Sequence, residues 1–259
     1  MAQAVAARRA VVLGASNVIR NLSTVVETAR RAAGEPLDLL IAAGHGRSYG
    51  MANRVLGFSV PGIIHCGLWS ALEERPAAPM TALITDIGND ILYGASPEMI
   101  LAWLELCLSK LAPRCERIVI TELPMQGVRD LQPLRFRIAR TISFPRCRLS
   151  LQEVSSRASC LNSGLKALAE KFNATLAQPS PAWYGFDPIH FRRAHALAAW
   201  QTYFAPWSAA PESLRAQGSY LNWLRWRTQR FHRQRFLRWE TERAQPIARD
   251  AQGNTLSLY

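Results

Sequence analysis

The chain has 259 residues, 49% of them hydrophobic, which is enough for one sizeable α/β domain with an appended segment. Its 31 Lys and Arg against 19 Asp and Glu give a formal net charge of +12, and only Lys110, Lys166 and Lys171 are lysines. Basicity carried almost wholly by arginine fits nucleic acid, anionic lipid, acidic polysaccharide or a coding bias, and composition does not choose among them. The N-terminal residues, Met1 to Ala10, show no apolar stretch followed by a cleavage site, and no run reaches transmembrane length, so a cytoplasmic protein is expected. Cys66, Cys107, Cys115, Cys147 and Cys160 are odd in number and widely spaced. They read as reduced thiols, mostly in the core, rather than disulfides or a zinc site.

The first apolar run, Val11-Val12-Leu13, ends in Gly14-Ala15-Ser16-Asn17, and Val18 to Ala33 follows with helical spacing. Ser16 therefore falls at a strand-to-helix corner. A strand end is rigid and the first turn of a helix offers free N–H groups to developing negative charge, so the place suits a nucleophile. Taken alone, it suits a helix-capping serine equally well. A dinucleotide loop is disfavoured by Asn17 and Arg20 at the positions where its glycines would fall. A G-x-S-x-G elbow is disfavoured by Val18.

Leu37 to Ala43 reads as a second strand, broken by Gly44-His45-Gly46-Arg47-Ser48. Met51 to Ile64 reads as irregular, with Met51 to Pro61 serving as a lid or as part of a pocket. Gly67 to Arg75 reads as a short helix and Thr81 to Thr85 as a third strand, running into Asp86-Ile87-Gly88-Asn89-Asp90. Pro97 to Leu111 is an amphipathic helix with Glu98 in its first turn. Ile118 to Thr121 is a fourth strand, Leu151 to Phe172 a helix and Thr175 to Ala177 a weak fifth strand. The loop from Pro179 then delivers Asp187-Pro188-Ile189-His190.

Strands alternating with helices imply a flavodoxin-like three-layer α/β/α domain with a mainly parallel five-stranded sheet, over residues 1–207. Right-handed crossovers put every strand's C-terminal end on one edge, where ligands bind. Residues 208–259 read as an arginine- and aromatic-rich helical extension. Between Ser219 and Trp239 lie Arg225, Arg227, Arg230, Arg233, Arg235 and Arg238, with no acid, among Trp223, Trp226, Phe231 and Phe236. The apolar face is too diffuse for a membrane-surface helix and no nucleic-acid module is recognisable. The extension is expected to pack partly on the domain and to present an arginine face suited to an anionic partner.

A serine after strand one, a glycine after strand two, Gly88-Asn89-Asp90 after strand three and Asp187-x-x-His190 near the domain's end together resemble the SGNH hydrolases, also called the GDSL esterase/lipase family, over about residues 8 to 206. The chemistry can also be reasoned from the residues. A serine hydroxyl needs a base, which His190 would supply, while Asp187 would fix the imidazole tautomer and stabilise the imidazolium. The oxyanion of a tetrahedral intermediate needs preorganised donors, each worth about 3 kcal/mol in hydrolases where one was removed. The Asn89 amide, the Ser16 N–H and a glycine N–H could converge there. Gly46 best matches the family's glycine, ahead of Gly44 and Gly67.

The family usually has aspartate before the serine where this chain has Ala15, so altered support for the loop is expected. Each residue also has a plainer reading: Asn89 and Asp90 as a turn, Asp187 as a turn opener, His190 as a buried histidine. Trp183 and Tyr184 read either as an aromatic wall for substrate or as a loop packed on the core. His45 and His65 lack an acid at useful spacing, and the histidines and acids show no metal-ligand spacing. The resemblance implies a serine esterase without metal or cofactor, acting through an acyl-enzyme on an O-acyl sugar, a lysophospholipid or a short acyl ester. The alternative is a non-catalytic SGNH-like binding or scaffold protein engaging an anionic partner through its basic C-terminal segment.

Overall fold

The first strand, β1 (Arg8–Leu13), is buried on both faces from Arg9 onward, which is what an apolar run inside a parallel sheet requires. Its side chains alternate between two cores. Val11 and Leu13 point into one hydrophobic cluster, Ala10 and Val12 into the other. The structure, a computed structural model, describes residues 8–55, 57–125, 132, 136–138, 140–141, 144, 147–185, 187–210, 214, 218–227 and 231–259.

After β1 the chain forms α1 (Ser16–Arg20) and α2 (Leu22–Ala33). Sequence reading expected one helix here; it breaks at Asn21, whose side-chain amide donates to the Asn17 carbonyl at 2.9 Å. Next come β2 (Leu37–Ala42), β3 (Asn53–Val55), β4 (Phe58–Val60), α3 (Leu68–Glu74), β5 (Met80–Ile84), α4 (Asn89–Leu92), α5 (Pro97–Leu111) and β6 (Cys115–Thr121). They are followed by α6 (Leu151–Lys171), β7 (Thr175–Ala177), α7 (Arg193–Phe204), α8 (Tyr220–Arg227), β8 (Arg233–Phe236), β9 (Trp239–Glu242), β10 (Ala248–Arg249) and β11 (Thr255–Leu258). Helix α5 starts with Pro97 behind the Ser96 cap. Helix α6 starts with a Ser150/Glu153 capping box, which satisfies two backbone donors reciprocally.

The main sheet has seven strands in the order β10-β11-β2-β1-β5-β6-β7, and only β10 runs antiparallel to its neighbour. One face packs against the layer holding α2 and α7, the other against the layer holding α3, α5 and α6. The three-layer α/β/α architecture is the expected one, with seven strands in place of five.

Both extra strands come from the segment expected to be helical. Only α8 of that segment is helical among its described residues. Strand β11 lies parallel to β2, with Leu256 opposite Leu39 and Leu258 opposite Ile41, and both leucines are buried. Asn254 locks the entry to this strand: its Oδ1 accepts from Leu37 N at 2.7 Å, and its Nδ2 donates to Glu35 and Asp250. The C-terminal segment therefore completes the main sheet.

A second sheet, antiparallel, has the order β3-β4-β8-β9. Its first two strands, β3 and β4, lie within the stretch read as irregular from sequence. The five cysteines are free; Cys66, Cys107 and Cys147 are buried, Cys115 is half-buried and Cys160 is exposed. Among the described residues no helix is long and apolar enough to cross a membrane.

Candidate active site

Residues that follow the C-terminal ends of β1, β5 and β7 meet on one edge of the main sheet. Ser16, 7% exposed, is the first residue of α1 rather than its cap, so its hydroxyl is not spent on the helix. His190 Nε2 lies 2.8 Å from Ser16 Oγ. On the other side of the ring, His190 Nδ1 lies 2.6 Å from Asp187 Oδ2. With the ring proton on Nδ1 donated to Asp187, Nε2 is free to accept from the Ser16 hydroxyl.

Asp187 is anchored by its own loop. Its Oδ1 accepts from Ile189 N at 2.9 Å and from His190 N at 3.3 Å. Partial burial would raise the Asp187 carboxyl, but His190, through hydrogen bond and charge, and the two backbone donors outweigh it and hold the group below its ordinary value. A carboxylate kept ionised beside an imidazole stabilises the imidazolium that forms when the serine proton is taken.

The serine turn rests on Asp86. Ala15 precedes Ser16 and has no polar side chain to support the turn. Asp86 Oδ2 instead accepts from the N–H groups of Ala15 and Asn17, both at 3.0 Å. Strand register puts it there: β1 pairs β5 with Leu13 opposite Ile84, so two residues beyond each strand end Ala15 faces Asp86. Asp86 holds a positive φ of 57°, the left-handed region that aspartate and asparagine enter more readily than other non-glycine residues. Burial raises its carboxyl above the ordinary value against the opposing pull of Asn17, Ala15 and the His190 charge.

Asn17 links this carboxylate to the histidine loop. Its Nδ2 donates to Asp86 Oδ1 at 2.8 Å and to the Ile189 carbonyl at 3.0 Å, and its Oδ1 accepts from Phe191 N at 3.1 Å. Neither role was read from the sequence. The available signal was a carboxylate at the end of the strand next to the serine's own.

Asn89 begins α4, is buried, and lines a cavity beside the triad. Gly46 sits at the third position of the Gly44–Arg47 turn with φ of 61°, a conformation that favours glycine. Tyr93, just after α4, donates its hydroxyl to the Gly46 carbonyl at 2.8 Å and so ties the two candidate oxyanion loops together. A second tie runs from Tyr49 N to Asp90 Oδ2 at 2.9 Å. Burial lifts the Asp90 carboxyl to about 6 against the Ser48 hydroxyl and Tyr49 N–H.

The cavity has a volume of about 120 Å³ and mostly apolar walls, among them Leu92, Leu123, Phe144 and Val154. Tyr184 lines it. Trp183, the other aromatic proposed from sequence as a substrate wall, is placed elsewhere. It is buried edge-on against Tyr203 and Phe191, with ring centroids 5.6 and 6.1 Å away, because the loop turns it onto α7. His45 and His65 are exposed. Among the described residues there is no group of three or more His, Cys, Asp or Glu that could hold a metal ion.

No family model matches this sequence, and no curated protein matches it. Solved structures do. A member of the lipolytic protein G-D-S-L family from Veillonella parvula aligns over 77% of this chain and 97% of its own, with a TM-score of 0.50 and 14% identity. A carbohydrate acetylesterase family member from Sinorhizobium meliloti aligns over 75% and 94%, with a TM-score of 0.49 and 12% identity. The psychrotrophic esterase EstA from Pseudoalteromonas sp. aligns over 77% and 97%, also at 0.49 and 12%. The likeness at these identities is one of fold, and the first of the three carries it.

Proposed function

We propose that this chain, which has the fold of a G-D-S-L family protein, is a serine esterase that cleaves carboxylic esters through an acyl-enzyme. The reading rests on one observation above all: the unbroken chain from Asp187 through His190 to Ser16, with links of 2.6 and 2.8 Å. Both distances lie within hydrogen-bond reach, which a nucleophile and its base require.

Ser16 Oγ attacks the ester carbonyl carbon while His190 Nε2 takes its proton. The carbonyl oxygen, now an oxyanion, is stabilised by the Ser16 N–H, the Asn89 side-chain amide and the Gly46 N–H. Collapse of this intermediate breaks the bond to the alcohol oxygen, and the His190 imidazolium protonates that oxygen as it leaves. Water, deprotonated by His190, then attacks the acyl-enzyme. The second tetrahedral intermediate collapses to the acid and returns the proton to Ser16 Oγ. Neither metal nor redox cofactor enters any of these steps.

The acyl group is the part held while the alcohol departs, so a cavity with mostly apolar walls suits it. Its volume of about 120 Å³, against the roughly 10–15 Å³ that a site for a single water requires, exceeds what an acetyl group needs. Esters with an acyl chain longer than acetyl are therefore the substrate class assigned here. Turnover of p-nitrophenyl acyl esters by the full chain tests the reading. Wild type hydrolyses them, Ser16→Ala and His190→Ala do not, and circular dichroism of all three coincides. Equal turnover by Ser16→Ala would overturn it.

A further inference from the structure

The antiparallel sheet β3-β4-β8-β9 has two unlike faces. Phe58 pairs with Phe236, and Phe236 pairs with Trp239, so these three aromatics form one row across three strands on one face. Arg235 pairs with Glu240 and Arg233 with Glu242 on the other face. There the charges are matched in ion pairs of 3.3–3.8 Å. An aromatic face this regular is normally covered by a core. Here Phe58 is 46% exposed, Phe236 44% and Trp239 77%.

The tip of the β8–β9 hairpin extends the row. Leu237 and Arg238 form its two-residue turn, and Leu237, 56% exposed, holds a φ of 53°. A hairpin turn with positive φ at that first central position favours glycine. An aliphatic side chain is thus displayed where glycine would be less strained. Leu237 N donates to the Gly57 carbonyl at 3.1 Å, which brings the β3–β4 turn alongside. Phe58 and Phe236 pack together with ring centroids 4.5 Å apart. The result is an apolar tip carrying Arg238, exposed, between Leu237 and Trp239.

The sheet is rooted on the edge that carries Ser16. His232 N donates to the Leu258 carbonyl at 2.7 Å, at the C-terminal end of β11. The β3–β4 hairpin leaves the main sheet after the loop that ends β2, and Ile63 N returns it to the Ser48 carbonyl at 3.1 Å.

We propose that Phe58, Phe236, Leu237 and Trp239 dock this chain on a lipid bilayer containing anionic lipid, with Arg238 meeting the headgroups. Tryptophan suits the water–hydrocarbon boundary, leucine and phenylalanine reach below it, and arginine keeps its head among phosphates while its stem stays apolar. The chain's net charge of +12 favours an anionic surface over a neutral one. Leu237 is what selects a bilayer over single-stranded nucleic acid, since stacking on bases uses aromatic faces and gains nothing from an aliphatic tip. Docking would set the Ser16 edge toward the membrane. It does not depend on the esterase reading, because binding needs no turnover.

The test is sedimentation of the full chain with vesicles of phosphatidylcholine alone and with about 30% phosphatidylglycerol added, at low and high salt. Wild type is expected to pellet with the anionic vesicles at least tenfold more tightly than with the neutral ones, and to be released by salt. Leu237→Ser/Trp239→Ser should lose at least tenfold in binding, and Arg238→Gln should weaken it and reduce the salt dependence. Leu237→Gly separates docking from folding: it should raise Tm, by relieving the positive φ, while lowering vesicle binding. The proposal is overturned if wild type stays in the supernatant with both vesicles or if the double variant binds as wild type does. It is also overturned if the patch proves to mediate a concentration-dependent dimer or to bind single-stranded DNA in place of vesicles.

Discussion

Asn17 and Asp86 are joined twice: Asn17 N reaches Asp86 Oδ2 at 3.0 Å and Asn17 Nδ2 reaches Asp86 Oδ1 at 2.8 Å. The residue after the nucleophile is thereby fastened to the end of the neighbouring strand. The same side chain holds the Ile189 carbonyl and Phe191 N on either side of the base. Asn17→Ala releases the histidine loop while leaving Ser16 in place. A displacement of 1 Å in a catalytic group costs on the order of 100-fold. We expect kcat of Asn17→Ala to fall 10- to 100-fold with KM little changed, as measured on a soluble ester. A larger effect on KM than on kcat would mean that Asn17 acts on substrate binding instead.

Asn89 is assigned an oxyanion-stabilising role, which is exercised only after the carbonyl oxygen gains charge. Asn89→Ala is therefore expected to lower kcat about 100- to 1000-fold with a nearly constant KM. Steady-state kinetics check this, and loss of KM alone would remove Asn89 from the oxyanion hole.

The cavity assignment predicts a chain-length effect. Ala158 is buried in α6 and lines the cavity. Ala158→Leu fills part of that space with a helix-compatible side chain. Hydrolysis of octanoyl esters should drop at least tenfold in kcat/KM while acetyl esters lose little, in a p-nitrophenyl series. A uniform loss across the series would place the acyl chain elsewhere.

Asp90 makes stability depend on pH. Burial raises its carboxyl from the ordinary 3.8 to about 6, so between those values the folded protein keeps a proton that the unfolded chain releases. Stability therefore falls as pH rises through that window, by about 3 kcal/mol for a shift of this size, and stays low above it. Asp90→Asn should flatten the fall and raise Tm at about pH 8 relative to wild type. Thermal melts across the pH range measure it, and an unchanged pH profile would refute the assignment.

The parallel sheet was legible because β1, β2, β5 and β6 carry apolar runs long enough to register as buried strands. Ser16, Gly46, Asn89, Asp187 and His190 could be singled out because each follows a strand end or lies in one short motif. What the sequence concealed depends on contacts between distant residues. Strands β3, β4, β8 and β9 are three or four residues long, and β4 meets β8 across a separation of more than 170 residues. No local period encodes such a pairing. Strand β11 is only Thr255–Leu258, and its partner β2 lies near the other end of the chain. Asp86 looked like one of several polar residues after a strand; its part in holding the serine turn follows from the β1–β5 register alone.

The central claim is that His190 activates Ser16, and a fluorophosphonate probe tests it most directly. The purified full chain, Ser16→Ala and a known serine hydrolase are labelled in parallel and mapped by peptide mass. The account predicts a single modification, on Ser16, absent from Ser16→Ala and strongly reduced in His190→Ala. A folded wild-type chain that stays unlabelled while the known hydrolase reacts would contradict it.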